Sequence, residues 1–349
     1  MALKKWLDNA RSLALVQSVV PAVLAVTLAL GQDGFRWYSA LLAVLGVACA
    51  HLSLNLADDY FDYKVDMLGD RDKVTRQGLR AMTVKYPYLT DGSQTLKSTA
   101  RAIASFAGVA LLCGAVICLD RIFRVPEGVT VSFWGENGLW WIAAVVLLCA
   151  FLGVFYSAPP LKLAYRGLGE LVIGFIFGPL VMAGVYYASC GRMDWTVIML
   201  SVPVGLLVLN ILFTHSFIDM AGDKQCNKMT FARLVGSTRG NLVFAALFIF
   251  LPFAMVVLGV CLGILSVWYL LVLLVLPRGV WLFWSLVEFT KGRLMEVEKP
   301  LRWLGPMPNW EMYRQYKIDW FMVRWLCARN LLSGFCTVLI IVSTVKFII

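Results

Sequence analysis

Long apolar runs separated by short polar clusters recur along the whole chain. Nine are long enough, at roughly 18 residues or more, to cross a bilayer as helices. They fall at 12–31, 38–57, 101–119, 138–156, 168–189, 195–215, 241–262, 264–286 and 322–345. The runs are continuous rather than alternating, which argues against a membrane β-barrel. The pattern predicts an all-α, polytopic membrane protein of about nine transmembrane helices. Pro277, Arg278 and Gly279 interrupt the eighth run and predict an early end, continued as an interfacial helix. The first run follows the basic flank "MALKKWLDNAR". It is longer than a signal-peptide core and contains Pro21, so it reads as the first span.

Composition agrees, with 60% hydrophobic residues and 15% charged. The net charge of +10 is accounted for by topology and anionic lipid, without nucleic acid. With the N-terminus inside, one face holds 24 of the 31 Lys and Arg: 3 before the first span, 8 in 58–101, 2 in 157–167, 4 in 216–240 and 7 in 287–324. The other face holds Arg36, Arg121, Arg124, Arg192 and Lys346, while Arg278 and Arg329 lie in or near spans. This bias predicts a cytoplasmic N-terminus and an external C-terminus. The nine cysteines are scattered without a C-x-x-C, and His51 and His215 are the only imidazoles, so buried free thiols are expected rather than a zinc or iron–sulfur site.

Negative charge is concentrated in two places, both on the expected cytoplasmic face. "NLADDYFDYKVD" (55–66) carries Asp58, Asp59, Asp62 and Asp66 after the second run, and "SFIDMAGDKQCNKMTFARLVG" (216–236) carries Asp219 and Asp223 after the sixth. On a helix, Asp59, Asp62 and Asp66 share one face, and so do Asp219 and Asp223. Like charges at such spacings repel, so helix stability does not explain them. Hard divalent cations do, because Mg²⁺ takes one or two carboxylates and completes its shell with substrate phosphate oxygens. Asn55 could add a carbonyl ligand. Basic residues follow both motifs: Arg71, Lys73, Arg76 and Arg80 after the first, Lys224, Lys228 and Arg233 after the second, with Lys162 and Arg166 between. Such cations would take up charge on a departing diphosphate, although each is also an ordinary positive-inside residue. Arg166 and Glu170 stand at i,i+4 spacing and are expected to pair. The alternatives are a solvated, helix-capping loop and an ion-coupled secondary transporter. Transporters place such groups near the bilayer midplane, however, rather than at span ends.

"DDYFDYKVD" (58–66) and "DMAGD" (219–223), in a nine-span chain, resemble the two aspartate motifs of the UbiA superfamily of intramembrane prenyltransferases. "RQGLRAM" (76–82), "YSAPPLKLAYRGLGE" (156–170), "FGP" (177–179), "GVYY" (184–187) and "NKMTFARLVG" (227–236) most resemble its menaquinone-branch members, the 1,4-dihydroxy-2-naphthoate polyprenyltransferases. Asp58 stands where the family has Asn, and His215, Ser216 and Ile218 replace the Asn-Asn-x-Arg that precedes the second motif. The resemblance implies two four-helix halves plus a ninth helix around a central cavity, forming one integral-membrane domain over 1–349. Its substrates would be a polyprenyl diphosphate donor and an aromatic acceptor, with Mg²⁺ as cofactor. It casts Asp59, Asp62, Asp219 and Asp223 as catalytic, joined at the metal by Asp58, Asp66 and Asn55. Arg76, Arg80, Lys162, Lys224 and Lys228 would bind diphosphate, while Tyr156, Arg166, Tyr186, Tyr187 and His215 would line the substrate pocket. Dihydroxynaphthoate is the favoured acceptor; 4-hydroxybenzoate, homogentisate and a glycerol phosphate lipid precursor remain open. The segment 290–320, rich in Trp and Tyr, reads as an interfacial lid or an amphipathic connector.

Overall fold

A computed structural model describes residues 2–66, 86–124, 138–225, 228–295 and 297–348. Among the described residues nine helices are long and apolar enough to cross a membrane: α1 (Ser12–Ala29), α2 (Trp37–Lys64), α3 (Leu96–Phe123), α4 (Trp140–Ser157), α5 (Gly169–Cys190), α6 (Trp195–Ile218), α7 (Thr238–Cys261), α8 (Val267–Thr290) and α9 (Asp319–Ile348). The chain is an integral membrane protein. A short amphipathic helix, Ala2–Asn9, precedes α1.

The expected spans are present with shifted ends. The second does not stop at 57, because no Gly or Pro interrupts it; its helix runs on to Asp66 and carries the first acidic motif on its last turns. The eighth is not broken at Pro277. A 3₁₀ stretch, Val267–Val275, hands over to an α-helix, Leu276–Thr290, that places Pro277 in its first turn, where a missing N–H costs nothing. The expected interfacial continuation is therefore the second part of α8 itself.

Burial distinguishes inner from outer helices: 61% of the α5 window and 67% of the α6 window lie inside the protein, against 17% for α3 and 11% for α4. The α5–α6 crossing is tight because it is made of glycine. A Cβ added at Gly174 would lie 2.8 Å from the Gly205 carbonyl oxygen, and one at Gly178 would strike the Gly205 backbone. Small residues that let backbones touch are how membrane helices gain dispersion contact without a hydrophobic drive between them. The ninth helix packs against both α1 and α6, closing the bundle. Each acidic motif lies at the end of the second span in its half, α2 or α6.

The segment joining α8 to α9, expected as an interfacial lid or connector, is largely exposed but tied to both helices. It turns back between the two helices as a strap. The Arg278 Nε donates to the Trp303 carbonyl at 2.7 Å, and the Asn330 Nδ2 donates to the carbonyls of Leu304 and Pro306, both at 3.0 Å. Arg329 adds a donor to Pro306 at 3.0 Å. Arg278 and Asn330 lie twelve and eleven residues from the helix ends at Thr290 and Asp319, so at 1.5 Å per residue the strap returns about 17 Å along α8 and α9. Beside Arg278, Gly279 packs on Ile249 and Phe253, half-way along α7. Non-helical backbone at that depth must find protein partners for its carbonyls, and these polar side chains within the spans supply them. The Trp310 Nε1 donates to the Glu298 carbonyl at 3.2 Å, and the Val297 amide to Asp319 Oδ2 at 2.9 Å, drawing the arms together. Asn330→Ala removes two buried donations and is expected to cost about 1–3 kcal/mol. The drop should appear in thermal unfolding in detergent, with faster tryptic cutting at Arg302.

Candidate active site at the ends of α2 and α6

The first motif is assembled by residues distant in sequence. Arg11 adopts a left-handed backbone conformation (φ 55°) between the N-terminal helix and α1, which turns its side chain towards the end of α2. Its Nη2 lies 3.2 Å from Asp59 Oδ1 and 3.6 Å from Asp58 Oδ2, and it donates to the Asn55 carbonyl at 3.1 Å. Tyr88, in a short turn of helix before α3, donates its hydroxyl to Asp59 Oδ2 at 3.0 Å. Ser157, the last residue of α4, donates to Asp58 Oδ1 at 2.5 Å, and Tyr165, in the loop beyond, donates to Asp62 Oδ1. Asp59 and Asp62 are buried. Burial by itself would pull the Arg11 pKa down; the charges of Asp59, Asp58 and Asp62 outweigh it and hold the pKa above its ordinary value. Tyr88 is pushed well up, first by burial and then by the Asp59 charge, so its hydroxyl stays protonated and keeps donating.

At the second motif, Asp219 caps α6, its amide donating to the His215 carbonyl at 3.0 Å. Asp223 follows one turn later in the short helix Met220–Gln225 and is buried. The two keep the helical spacing that puts them on one side. Arg233 folds the following loop back, donating to the carbonyls of Asp223 at 3.2 Å and Lys228 at 2.5 Å.

One loop touches the first motif and the loop that follows the second. Residues 157–170 supply Ser157 to Asp58 and Tyr165 to Asp62, then pair with the second motif's loop through the Gly167 amide on the Met229 carbonyl at 2.9 Å. Lys162, half-buried, stands in this loop at the head of a 3₁₀ turn, Leu163–Tyr165. The Tyr156 hydroxyl sits over Gly169, where an added Cβ would approach it to 3.3 Å.

Other expected site residues fall elsewhere or turn aside. Arg166 is exposed and donates to the Pro160 carbonyl at 3.1 Å instead of pairing with Glu170. Glu170 turns inward, drawn by the Ser216 hydroxyl at 2.7 Å and the Phe231 amide at 3.2 Å. Tyr186 and Tyr187 are not brought to the aspartates. They lie seventeen and eighteen residues along α5 from Gly169, about 26 Å away by helical rise, where the Tyr187 hydroxyl binds the Gly138 carbonyl at 2.7 Å. His215, half-buried, packs edge-on to Phe321 with ring centres 5.1 Å apart. The Asn55 amide nitrogen is spent on the Ala10 carbonyl at 3.0 Å. Lys224 is exposed and Lys228 half-buried. Arg76 and Arg80 lie outside the described residues, as does the side chain of Asp66.

Sequence reasoning missed Arg11, Tyr88, Ser157 and Tyr165 as partners of the acids. Ser157 and Tyr165 lie in "YSAPPLKLAYRGLGE", where a signal was available. Arg11 was hidden among the topological cations.

Among the described residues no three acidic, His or Cys side chains already converge as a metal cage. Pairs of carboxylates, all hard oxygen donors, suit an ion that takes the rest of its shell from substrate phosphate and water, which is the habit of Mg²⁺.

The UbiA prenyltransferase family model matches residues 18–296. The chain belongs to the UbiA prenyltransferase family. It is an enzyme, a prenyltransferase. Among its relatives, the 1,4-dihydroxy-2-naphthoate octaprenyltransferase of Bacillus subtilis (strain 168) is 25% identical over 76% of this chain and 76% of its own. The enzyme of the same name from Mycobacterium tuberculosis is 25% identical over 70% of this chain and 74% of its own. A solved UbiA homologue from Archaeoglobus fulgidus, described as bound to GPP and Mg²⁺, superposes with a TM-score of 0.54 at 15% identity. That match covers 96% of this chain and 99% of the homologue, and shows a shared fold. The UbiA match ends at residue 296, before most of the strap and α9.

Replacing Arg11 with Met leaves the buried Asp59 without its guanidinium. The expected cost is about 2–3 kcal/mol, below that of a fully buried pair because the Arg11 side chain keeps a third of its exposure. Adding Asp59→Asn should recover most of the loss, and unfolding of the two variants in detergent checks the coupling.

Proposed function

We propose that this UbiA-family enzyme transfers a polyprenyl group from polyprenyl diphosphate to 1,4-dihydroxy-2-naphthoate, with loss of CO₂, in menaquinone biosynthesis. The observation that carries the reading is the single loop, 157–170, that bonds to the acids of the first motif and to the loop that follows the second. The acceptor rests on the relatives named for dihydroxynaphthoate, at about a quarter identity.

Asp59, Asp62, Asp219 and Asp223 would hold Mg²⁺, with Asp58 and Asp66 beside them and Asn55 in support. When bound, the metal neutralises the diphosphate and draws electrons from the leaving oxygen. Arg11, Tyr88, Ser157 and Tyr165 orient the first set of carboxylates, so that little reorganisation is needed as a substrate arrives. Lys162, Lys224 and Lys228 stand at the same end and take up charge on the departing diphosphate, a role in which Arg76 and Arg80 would join. Tyr156 and the His215–Phe321 pair provide aromatic surface nearby that excludes water from an electron-poor allylic carbon. Arg166, exposed on its own loop, has no evident part. In the acceptor, the new carbon–carbon bond forms at the ring carbon bearing the carboxylate. The electron pair of the bond lost with CO₂ restores the aromatic ring, so no side chain need remove a ring proton. The Lys and Arg bias supports a cytoplasmic position for this end of the bundle, with the N-terminus inside and the C-terminus outside.

Purified protein in liposomes, given Mg²⁺, a labelled prenyl diphosphate and dihydroxynaphthoate, should yield prenylated naphthoquinol and CO₂ in equal amounts. Asp59→Asn and Asp219→Asn should each lower the rate by 100-fold or more, by the roughly 10²–10³-fold cost of losing one electrostatic contact. Product with hydroxybenzoate or homogentisate alone would keep the diphosphate chemistry and reassign the acceptor.

A further inference from the structure

Glu170 opens α5 and is 4% exposed. One of its oxygens accepts the Ser216 hydroxyl at 2.7 Å, and both accept the Phe231 amide at 3.2 Å. Among the described residues it forms no ion pair. An ionised carboxylate held this far from water is costly unless its hydrogen bonds are complete, so its place calls for an explanation beyond packing.

Its two partners supply one. Ser216 precedes Asp219 by three residues, and Phe231 follows Asp223 by eight. Glu170 thus grips both ends of the segment that carries the second acidic motif, closing a chord across sixteen residues of chain. Within that chord the helical turns hold their own backbone through Gln225; beyond them the chain is tied by Arg233 on the carbonyls of Asp223 and Lys228 and by the Gly167 amide on Met229. Ordering such a loop costs conformational entropy for every residue fixed. A rigid post on the neighbouring helix lets that cost be met on folding rather than on binding.

We infer that Glu170 is a positioning residue for the second acidic motif. It fixes Asp219 and Asp223 in their shared register without touching substrate, so that the segment is ready for a cation before one arrives. The inference rests on the proposed role of Asp219 and Asp223 as Mg²⁺ ligands and adds to it a residue outside the acidic motifs.

The test compares Glu170→Ala and Glu170→Gln in the full-length protein in detergent. Glutamine keeps one oxygen of the same reach and can still accept from Ser216 and Phe231; alanine keeps none. Amide exchange at Phe231 should rise tenfold or more in the alanine variant and less than threefold in the glutamine variant. The Mg²⁺ concentration giving half-maximal diphosphate release should rise at least fivefold with alanine, while the rate at saturating Mg²⁺ falls less than that; glutamine should restore the parent value. An unchanged Phe231 exchange rate in Glu170→Ala overturns the inference. So does an unmoved Mg²⁺ midpoint with activity falling only as the folded fraction falls. Should the parent release no diphosphate at any Mg²⁺ concentration, the proposed function fails instead. The clamp is then decided by Phe231 exchange together with Mg²⁺-induced protection of 219–225, which alanine should weaken and glutamine preserve.

Discussion

A charged group at the edge of a hydrocarbon layer must find a partner, and much of this structure is arranged around that requirement. Asp59 is buried, with Arg11 on one oxygen and Tyr88 on the other. Asp58 adds Ser157, and Asp62 adds Tyr165. These four donors come from the stretch before α1, the turn before α3, the end of α4 and the loop after it. The first acidic motif is therefore where three separate pieces of chain are made to meet the end of α2. Remove the negative charge and there is little reason for Arg11 to take a left-handed backbone conformation or for Tyr88 to turn inward.

The same requirement is met with opposite sign in the strap. There the exposed partial charges are backbone carbonyls, and the side chains sent to them are donors: Arg278, Arg329 and Asn330 at the bend. Buried Arg324 fixes the exit, donating to the carbonyls of Ser285 at 3.0 Å and Trp320 at 2.5 Å. Arginine suits both settings because its fork reaches several acceptors at once and stays charged. At the far end of the bundle, Asp120 is met by Arg36 at 2.5 Å and by the Tyr38 hydroxyl, while Arg121 donates to the carbonyls of Gly34 and Ala188. That network ties α2, α3 and α5 together and leaves the concentration of carboxylates to the other end.

The sequence was most informative where a signal repeats over a long window. Nine apolar runs, and the helical spacing of Asp59 with Asp62 and of Asp219 with Asp223, survive because a span must be apolar along its length and a motif's spacing is local. Pro277 was misread because a proline signals a break only when its position in the helix is known; in a first turn it breaks nothing. The likeness of "GVYY" points Tyr186 and Tyr187 to the pocket, but the rise of α5 carries them to the other end. The Arg166–Glu170 pairing failed through competition, since a buried hydroxyl and a backbone amide claim Glu170 first. The strap had no periodic signature at all. Its clue was Arg278, Arg329 and Asn330 within spans, which makes sense only once the carbonyls they serve are known.

The place of the 157–170 loop follows from parity. Each half has four spans, so the chain leaves the first half on the side where it entered. Each acidic motif follows the second span of its half, and an even number of crossings returns it to that same side. The junction between halves is thus bound to emerge beside both motifs, whatever its sequence. What the residues add is use of that position: Ser157 and Tyr165 reach back to the first half's acids, and Gly167 and Glu170 reach forward to the second half's loop. A duplicated four-helix unit would by itself hold two separate acidic ends. A short segment that bonds to Asp58 and Asp62 on one side and to Ser216, Met229 and Phe231 on the other ties those two ends together.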